Sequence, residues 1–140
     1  MNNTKIAVET GGWLIAGFGL LLAVFNLPGL SPVMDGAFEL VLWTGDDVLY
    51  STLPEARLMV AVAGGIAFAW GFLQINLARF YGEREGSALR KIVVRSYWAW
   101  FIVDGLGSLA AGAPLNLIGN ALFLIALLVP FYLPIAKRRA

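Results

Sequence analysis

Cysteine and histidine are both absent from the chain. Without thiols there is no disulfide and no thiolate nucleophile. Without imidazole there is no histidine-ligated haem, none of the usual zinc sites, and no Ser-His or Cys-His pair. No cofactor and no metal site is therefore expected. Charge is scarce as well: Asp, Glu, Lys and Arg make up 14% of the residues, against about 25% in an average soluble domain. The net charge of +1 gives no case for nucleic acid as a partner.

Apolar residues take the place of the missing charge. They form 59% of the chain, 16 further residues are glycine, and the mean hydropathy is +0.77. A soluble domain of 140 residues cannot bury this much apolar surface, so a lipid bilayer is the expected partner. A spanning helix needs about 20 mostly apolar residues. Four windows approach that length, at residues 13–30, 58–80, 92–111 and 115–133. They predict an all-α membrane protein with four transmembrane helices in an antiparallel bundle, a single transmembrane domain over residues 1–140, and a structured outer connector at 31–57. The first window reads as a span rather than a cleaved signal, because "AVFNLPGLS" offers no small-x-small cleavage site.

Orientation follows from the basic residues. Lys5, Arg79, Arg84, Arg90, Lys91, Arg95, Lys137, Arg138 and Arg139 all fall on one side of the expected topology, and only Arg57 falls on the other. The long connector carries five acids, Asp35, Glu39, Asp46, Asp47 and Glu55. This asymmetry predicts both termini in the cytoplasm, with the acidic connector outside. The basic patches are topology signals that also meet anionic headgroups.

Local signals refine the picture. Gly12, Ala16 and Gly19 share one side of the first helix, and Ala61/Gly65 and Ala67/Gly71 are small-xxx-small pairs in the second. Such pairs let backbones approach closely in lipid, either within the bundle or against a partner. Pro28 and Pro32 are expected to end the first helix, Pro54 to precede the second by about one turn, and Pro130 and Pro134 to end or kink the fourth. Trp13, Tyr97, Trp98 and Trp100 fit an aromatic belt at the inner interface. The connector is too long for a passive link. Its runs "AFELVLW" and "VLYSTL" around "TGDD" predict a β-hairpin or a short interfacial helix, anchored by Trp43 and Tyr50. Asp46 and Asp47 read as a solvated turn rather than a calcium loop.

One segment stands out. "WAWFIVDGLGSLAAGAPLNLIGNALFL" (residues 98–124) looks built for oil, yet holds Asp104, Ser108, Asn116 and Asn120. Asp104 and Ser108 are spaced i,i+4, as are Asn116 and Asn120, so each pair lies on one helix face. The turn at Gly112-Ala113-Pro114 brings the two faces together. At 1.5 Å rise per residue, Asp104 lies roughly 12 Å and Asn120 roughly 9 Å below that turn. Asn26 is expected at a compatible depth, and Arg57 could supply a counter-charge. Arg95 is a poor partner for Asp104, since nine residues of helix separate them by roughly 13 Å; it is expected to snorkel to headgroups. An ionised carboxylate at this depth is costly unless paired, protonated or hydrated. Two readings stay open: interhelical glue, or a ligand-binding site made of Asp104, Ser108, Asn116, Asn120, Asn26 and Arg57.

The stretches "LPEARLMVAVAGGIAFAWG" and "RSYWAWFIVDGLGSLAAGAPLNLIGNALF" resemble small bacterial four-helix integral membrane proteins of unknown function. The resemblance rests on Arg57 at a helix start, the glycine-rich second helix and the Asp-Gly of the third. It covers about half the chain and implies a bacterial inner (cytoplasmic) membrane location, multi-pass, with both termini inside. It implies no activity. Three functions are therefore ranked. First comes binding or movement of a small solute or ion at the Asp104 site, in a homo-oligomer because one four-helix bundle encloses little volume. Second comes a non-catalytic accessory or assembly subunit of a larger membrane complex. Third comes a lipid-modifying or isomerising enzyme with Asp104 as general acid or base; the missing histidine and metal cluster weigh against catalysis.

Overall fold

The computed structural model describes residues 3–25, 27, 29–42, 50–110 and 113–133. Five α-helices and two 3₁₀ turns make up the described chain, and no strand occurs among the described residues. The α-helices are α1 (Asn3–Phe25), α2 (Ser31–Leu42), α3 (Pro54–Tyr81), α4 (Gly86–Ala110) and α5 (Pro114–Leu128). The 3₁₀ turns, Tyr50–Thr52 and Val129–Phe131, precede α3 and follow α5.

Three of these helical segments, Asn3–Phe25, Pro54–Tyr81 and Pro114–Phe131, are long and apolar enough to cross a membrane. Helix α4 has the length, but Arg90, Lys91, Arg95 and Asp104 dilute its hydropathy. The surface agrees with a lipid setting. Ile66, Val103 and Leu106 are 66%, 72% and 65% exposed, and side chains of this kind on every long helix would be unfavourable against water.

The helix boundaries differ from the sequence expectation in instructive ways. Helix α1 begins at Asn3 rather than near residue 13, because its first turns bury Ala7 and Val8 against the bundle. It stops at Phe25, before the prolines expected to end it. A turn follows at Gly29, whose φ of 88° is accessible at low cost only to glycine. Pro32 lies in the first turn of α2, where proline is tolerated. Pro54 is the first residue of α3 and not a residue ahead of it. Pro130 lies in the 3₁₀ turn where α5 ends. For residues 31–42 the β-hairpin alternative fails. Met34, Ala37, Phe38 and Val41 all face one chamber, which is helical spacing rather than alternation. Trp43 and the "TGDD" turn with Asp46 and Asp47 lie outside the described residues, as do Pro28, Pro134 and the tail with Lys137, Arg138 and Arg139.

The most extensive helix contact is between α1 and α3, which run antiparallel. A Cβ on Gly12 would meet the Gly71 carbonyl oxygen at 2.8 Å, and a Cβ on Gly64 would meet the Gly19 carbonyl oxygen at 2.8 Å. Backbone therefore packs on backbone, the close approach that small residues permit in lipid. On α3 the contact uses Gly64, Ala67 and Gly71; Ala61 and Gly65 instead face outward. Two ion pairs pin the same end of these helices, Arg79 to Glu9 at 2.9 Å and Lys5 to Glu83 at 3.3 Å.

Packing is uneven along the bundle. Val8, Ile15, Ala78, Val93, Tyr97, Leu124, Leu127 and Phe131 form a closed core toward the end that carries Lys5, Arg79 and Arg90. The opposite half, around the α4–α5 turn and α2, is looser and holds the candidate site.

Candidate functional site

The site is built on the α4–α5 hairpin. Helix α4 ends as the Ala113 N–H donates to the Ser108 carbonyl at 2.9 Å, and α5 begins at once with Pro114. So short a connection sets the two helices antiparallel and fixes their register. Asn120 then stands opposite Asp104, and Asn116 opposite Ser108.

The resulting polar cluster is continuous. Asn120 donates from Nδ2 to Oδ2 of Asp104. Asn116 donates from Nδ2 to Ser108 Oγ at 2.8 Å and more weakly to Asp104 Oδ2 at 3.4 Å. The Ser108 hydroxyl in turn donates to the Asp104 backbone carbonyl at 2.7 Å, one helical turn back. Ser108 is buried, while Asp104 and both asparagines are half-buried. One carboxylate oxygen thus gathers two amides from the neighbouring helix. The oxygen Oδ1 of each amide accepts no hydrogen bond from another described residue.

Of the six residues expected to act together, four do meet. Arg57 does not join them: it lines a separate groove with Thr52, Pro54, Leu58 and Ala61. Its place at the start of α3 puts it beside the Tyr50–Thr52 turn rather than the α4–α5 hairpin. Asn26 lies outside the described residues. Arg95 lies nine residues before Asp104 on α4, too far along the helix to pair with it.

Beside the cluster lies a chamber of about 520 Å³, inside the range of roughly 300–1,000 Å³ usual for small-molecule sites. Phe18 and Leu22 of α1, Val60 of α3, Trp100 of α4 and Phe123 of α5 form its apolar walls. The Phe18 and Phe123 rings lie 5.4 Å apart, and Trp100 meets Phe123 edge-on at 5.9 Å. Helix α2 roofs the chamber with Met34, Ala37, Phe38 and Val41, and Phe38 is braced by Tyr50 at 5.0 Å. The polar part of the wall is Asn116 and Asn120. Asp104 stands behind them and does not line the space. Among the described residues no three His, Cys, Asp or Glu side chains come together as metal ligands.

A second buried polar contact was not anticipated. Tyr97, fully buried, donates its hydroxyl to Gln74 Oε1 at 2.6 Å, and Gln74 Nε2 has no partner among the described residues. Tyr97 was expected in an interfacial belt with Trp13, Trp98 and Trp100. Trp13 and Trp98 do face outward, but Tyr97 packs against Trp70 in the core, and Trp100 lines the chamber. The signal was in the spacing: Val93, Tyr97, Trp100, Asp104 and Ser108 form one stripe of α4. On α3, Gln74 is three residues from Gly71, on the face that packs on α1.

No protein-family model, curated protein or solved structure matches this chain.

Proposed function

We propose that this chain is a four-span integral membrane protein, with both termini in the cytoplasm of a bacterial inner membrane, that binds a small, mainly apolar solute in its outer half. Helix α4 joins the three apolar segments as the remaining span. Its charges suit that role: Arg90, Lys91 and Arg95 occupy the turns nearest the basic end, and Asp104 is shielded by α5. Known cations Lys5, Arg79, Arg84, Arg90, Lys91 and Arg95 gather at that end of the bundle, which supports its assignment to the cytoplasmic side.

The observation that carries the solute reading is the double duty of Asn116 and Asn120. Their Nδ2 groups are held by Asp104 and Ser108, and the same two residues form the polar wall of an otherwise apolar chamber. Asp104 fixes the amides, and among the described residues each amide oxygen is left as an acceptor. A solute with an apolar body and one hydrogen-bond donor, such as a hydroxyl, matches such a wall. A bare cation matches it less well, because the carboxylate is turned toward the amides.

The test uses the full chain in phosphatidylcholine nanodiscs and a photoactivatable aliphatic alcohol as probe. Adducts should concentrate on Phe18, Phe38 and Phe123 and be competed by unlabelled alcohol but not by an alkane of equal length. Gly119 borders the chamber with open space around it, so Gly119→Leu should abolish this labelling without lowering thermal stability. Labelling spread evenly over lipid-facing residues, or equal competition by the alkane, would overturn the solute reading.

A second reading, an accessory subunit of a larger membrane complex, draws on Ala61, Gly65 and Ala69. They form an exposed small-residue stripe on α3, and nothing in the chain contacts Gly65 at the Cβ position. Stoichiometric co-purification with another membrane protein, lost in Gly65→Leu, would favour it.

A further inference from the structure

We infer that the basic end of α4 is a binding site for the phosphate headgroup of an anionic phospholipid. The inference rests on the bilayer placement of the bundle and not on the solute chamber, which lies at the opposite end.

A cleft of about 430 Å³ is lined by Ser87, Arg90, Lys91, Val94 and Arg95 of α4 and by Tyr132 beyond α5. The five α4 residues share one helix face. Three of them are cations, and Lys91 and Arg95 are like charges at i,i+4, an unfavourable spacing when nothing neutralises it. The ion pairs among the described residues use other cations, Lys5 with Glu83 and Arg79 with Glu9. No described carboxylate pairs with Arg90, Lys91 or Arg95. Glu85 is close in sequence but does not line the cleft.

Arg90 is held in place from within the protein. Its guanidinium carbon lies 5.0 Å from the Tyr132 ring centroid and 5.8 Å from that of Phe131. Aromatic faces engage the plane of a guanidinium and leave its N–H edge for an anion, and the planar fork matches two phosphate oxygens. Ser87 adds a hydroxyl donor to the lining. Buried cores at this end supply rigidity, since Leu89 and Val93 on the neighbouring face of α4 are packed inside.

A free phosphate would be satisfied by the cations alone. The surface continues in a way that favours a lipid. Along the same stripe of α4, Ser87, Lys91 and Arg95 give way to Trp98 and Ile102, which are 47% and 55% exposed. Polar cleft below and exposed apolar track above reproduce the order of headgroup and acyl chain. Basic pockets between spans on the cytoplasmic side are where anionic headgroups bind.

The experiment places the purified full chain in phosphatidylcholine-containing detergent micelles and titrates phosphatidylglycerol, further phosphatidylcholine or inorganic phosphate, reading the unfolding temperature. Phosphatidylglycerol should raise it saturably, and the other two should not. Lys91→Gln with Arg95→Gln, both exposed positions, should weaken the apparent phosphatidylglycerol affinity about thirtyfold. Arg84→Gln, an exposed cation at the same end but outside the cleft, should leave it unchanged. Independently of any variant, phosphatidylglycerol carrying a photoreactive headgroup should label residues 87–95 of the wild-type chain. The proposal fails if phosphatidylcholine stabilises equally, if Arg84→Gln weakens the effect as much as the double substitution, or if the photolabel misses residues 87–95. A saturable response to inorganic phosphate that the double substitution removes would identify a free-phosphate site and overturn the lipid assignment.

Discussion

Asn120 on α5 donates its side-chain amide to Oδ2 of Asp104 on α4, across a hairpin whose two helices are joined by a tight turn at Ala113 and Pro114. The contact joins an acid that a bilayer would otherwise penalise to an amide that would otherwise lack an acceptor. It also places Asn120 in the wall of the chamber. Structure and site are therefore coupled at this pair.

The coupling predicts different outcomes for two substitutions. Asp104→Asn keeps an acceptor for the α5 amides, so thermal unfolding in detergent should shift by the equivalent of less than about 1 kcal/mol. Asp104→Leu strands the Asn120 donor, leaves Asn116 with Ser108 alone, and should cost about 1–3 kcal/mol. If Leu proves as stable as the parent, the cluster does not hold the hairpin together, and a ligand or proton becomes the reason for the acid. If both variants fail to fold, the acid is needed to hold the α4–α5 hairpin itself, and the solute reading then stands or falls on the Gly119→Leu labelling.

Gly71 and Gly65 should respond in opposite directions to the same change. A Cβ on Gly71 would press on the α1 backbone at Gly12 and Ala16, reaching 2.9 Å from the Ala16 Cα. Backbone cannot yield as a side chain does, so Gly71→Ala should destabilise by about 1–3 kcal/mol. Gly65 has open space around it, and Gly65→Ala should be neutral or stabilising by up to about 1 kcal/mol, since glycine is a poor helix former. Unfolding temperatures of the two variants, measured side by side, decide it; equal effects would mean that α1 and α3 are not packed backbone to backbone.

Tyr97 and Gly11 form a testable pair. A Cβ on Gly11 would fall on the Tyr97 hydroxyl, which is engaged with Gln74. Tyr97→Phe alone should cost about 1–3 kcal/mol by removing the partner that the buried Gln74 amide has among the described residues. Gly11→Ala alone should also destabilise, by displacing the hydroxyl. Combined, they should fall short of the sum by about 0.5–3 kcal/mol, because the phenylalanine vacates the space that alanine needs. Strict additivity in the double-mutant cycle would place the Tyr97 hydroxyl elsewhere.

Much of this protein is dictated by local chemistry. Scarce charge and long apolar runs require helices that satisfy their own backbone in lipid, and the described chain is helical throughout α1, α3 and α5. The meeting of Asp104, Ser108, Asn116 and Asn120 is legible for the same reason: i,i+4 spacing on either side of a tight turn permits few other outcomes. Absence of histidine and cysteine removes whole classes of chemistry before any fold is considered.

What only the tertiary structure decides is which faces meet. Several glycines on α3 look alike in sequence, yet Gly64 and Gly71 face α1 while Gly65 faces outward, because helix rotation is set by all contacts together. Tyr97 resembles an interfacial aromatic until α1 and α3 close over it. Arg57 resembles a partner for Asp104 until its place beside the Tyr50–Thr52 turn sets it in another groove. The chamber belongs to no segment: five helices contribute its walls, and its volume is what remains once α1 and α3 have packed backbone to backbone and α2 has folded across the gap. Periodicity fixes the face on which a side chain lies, but a chamber between helices depends on the distances between them, and those arise only when the whole bundle packs.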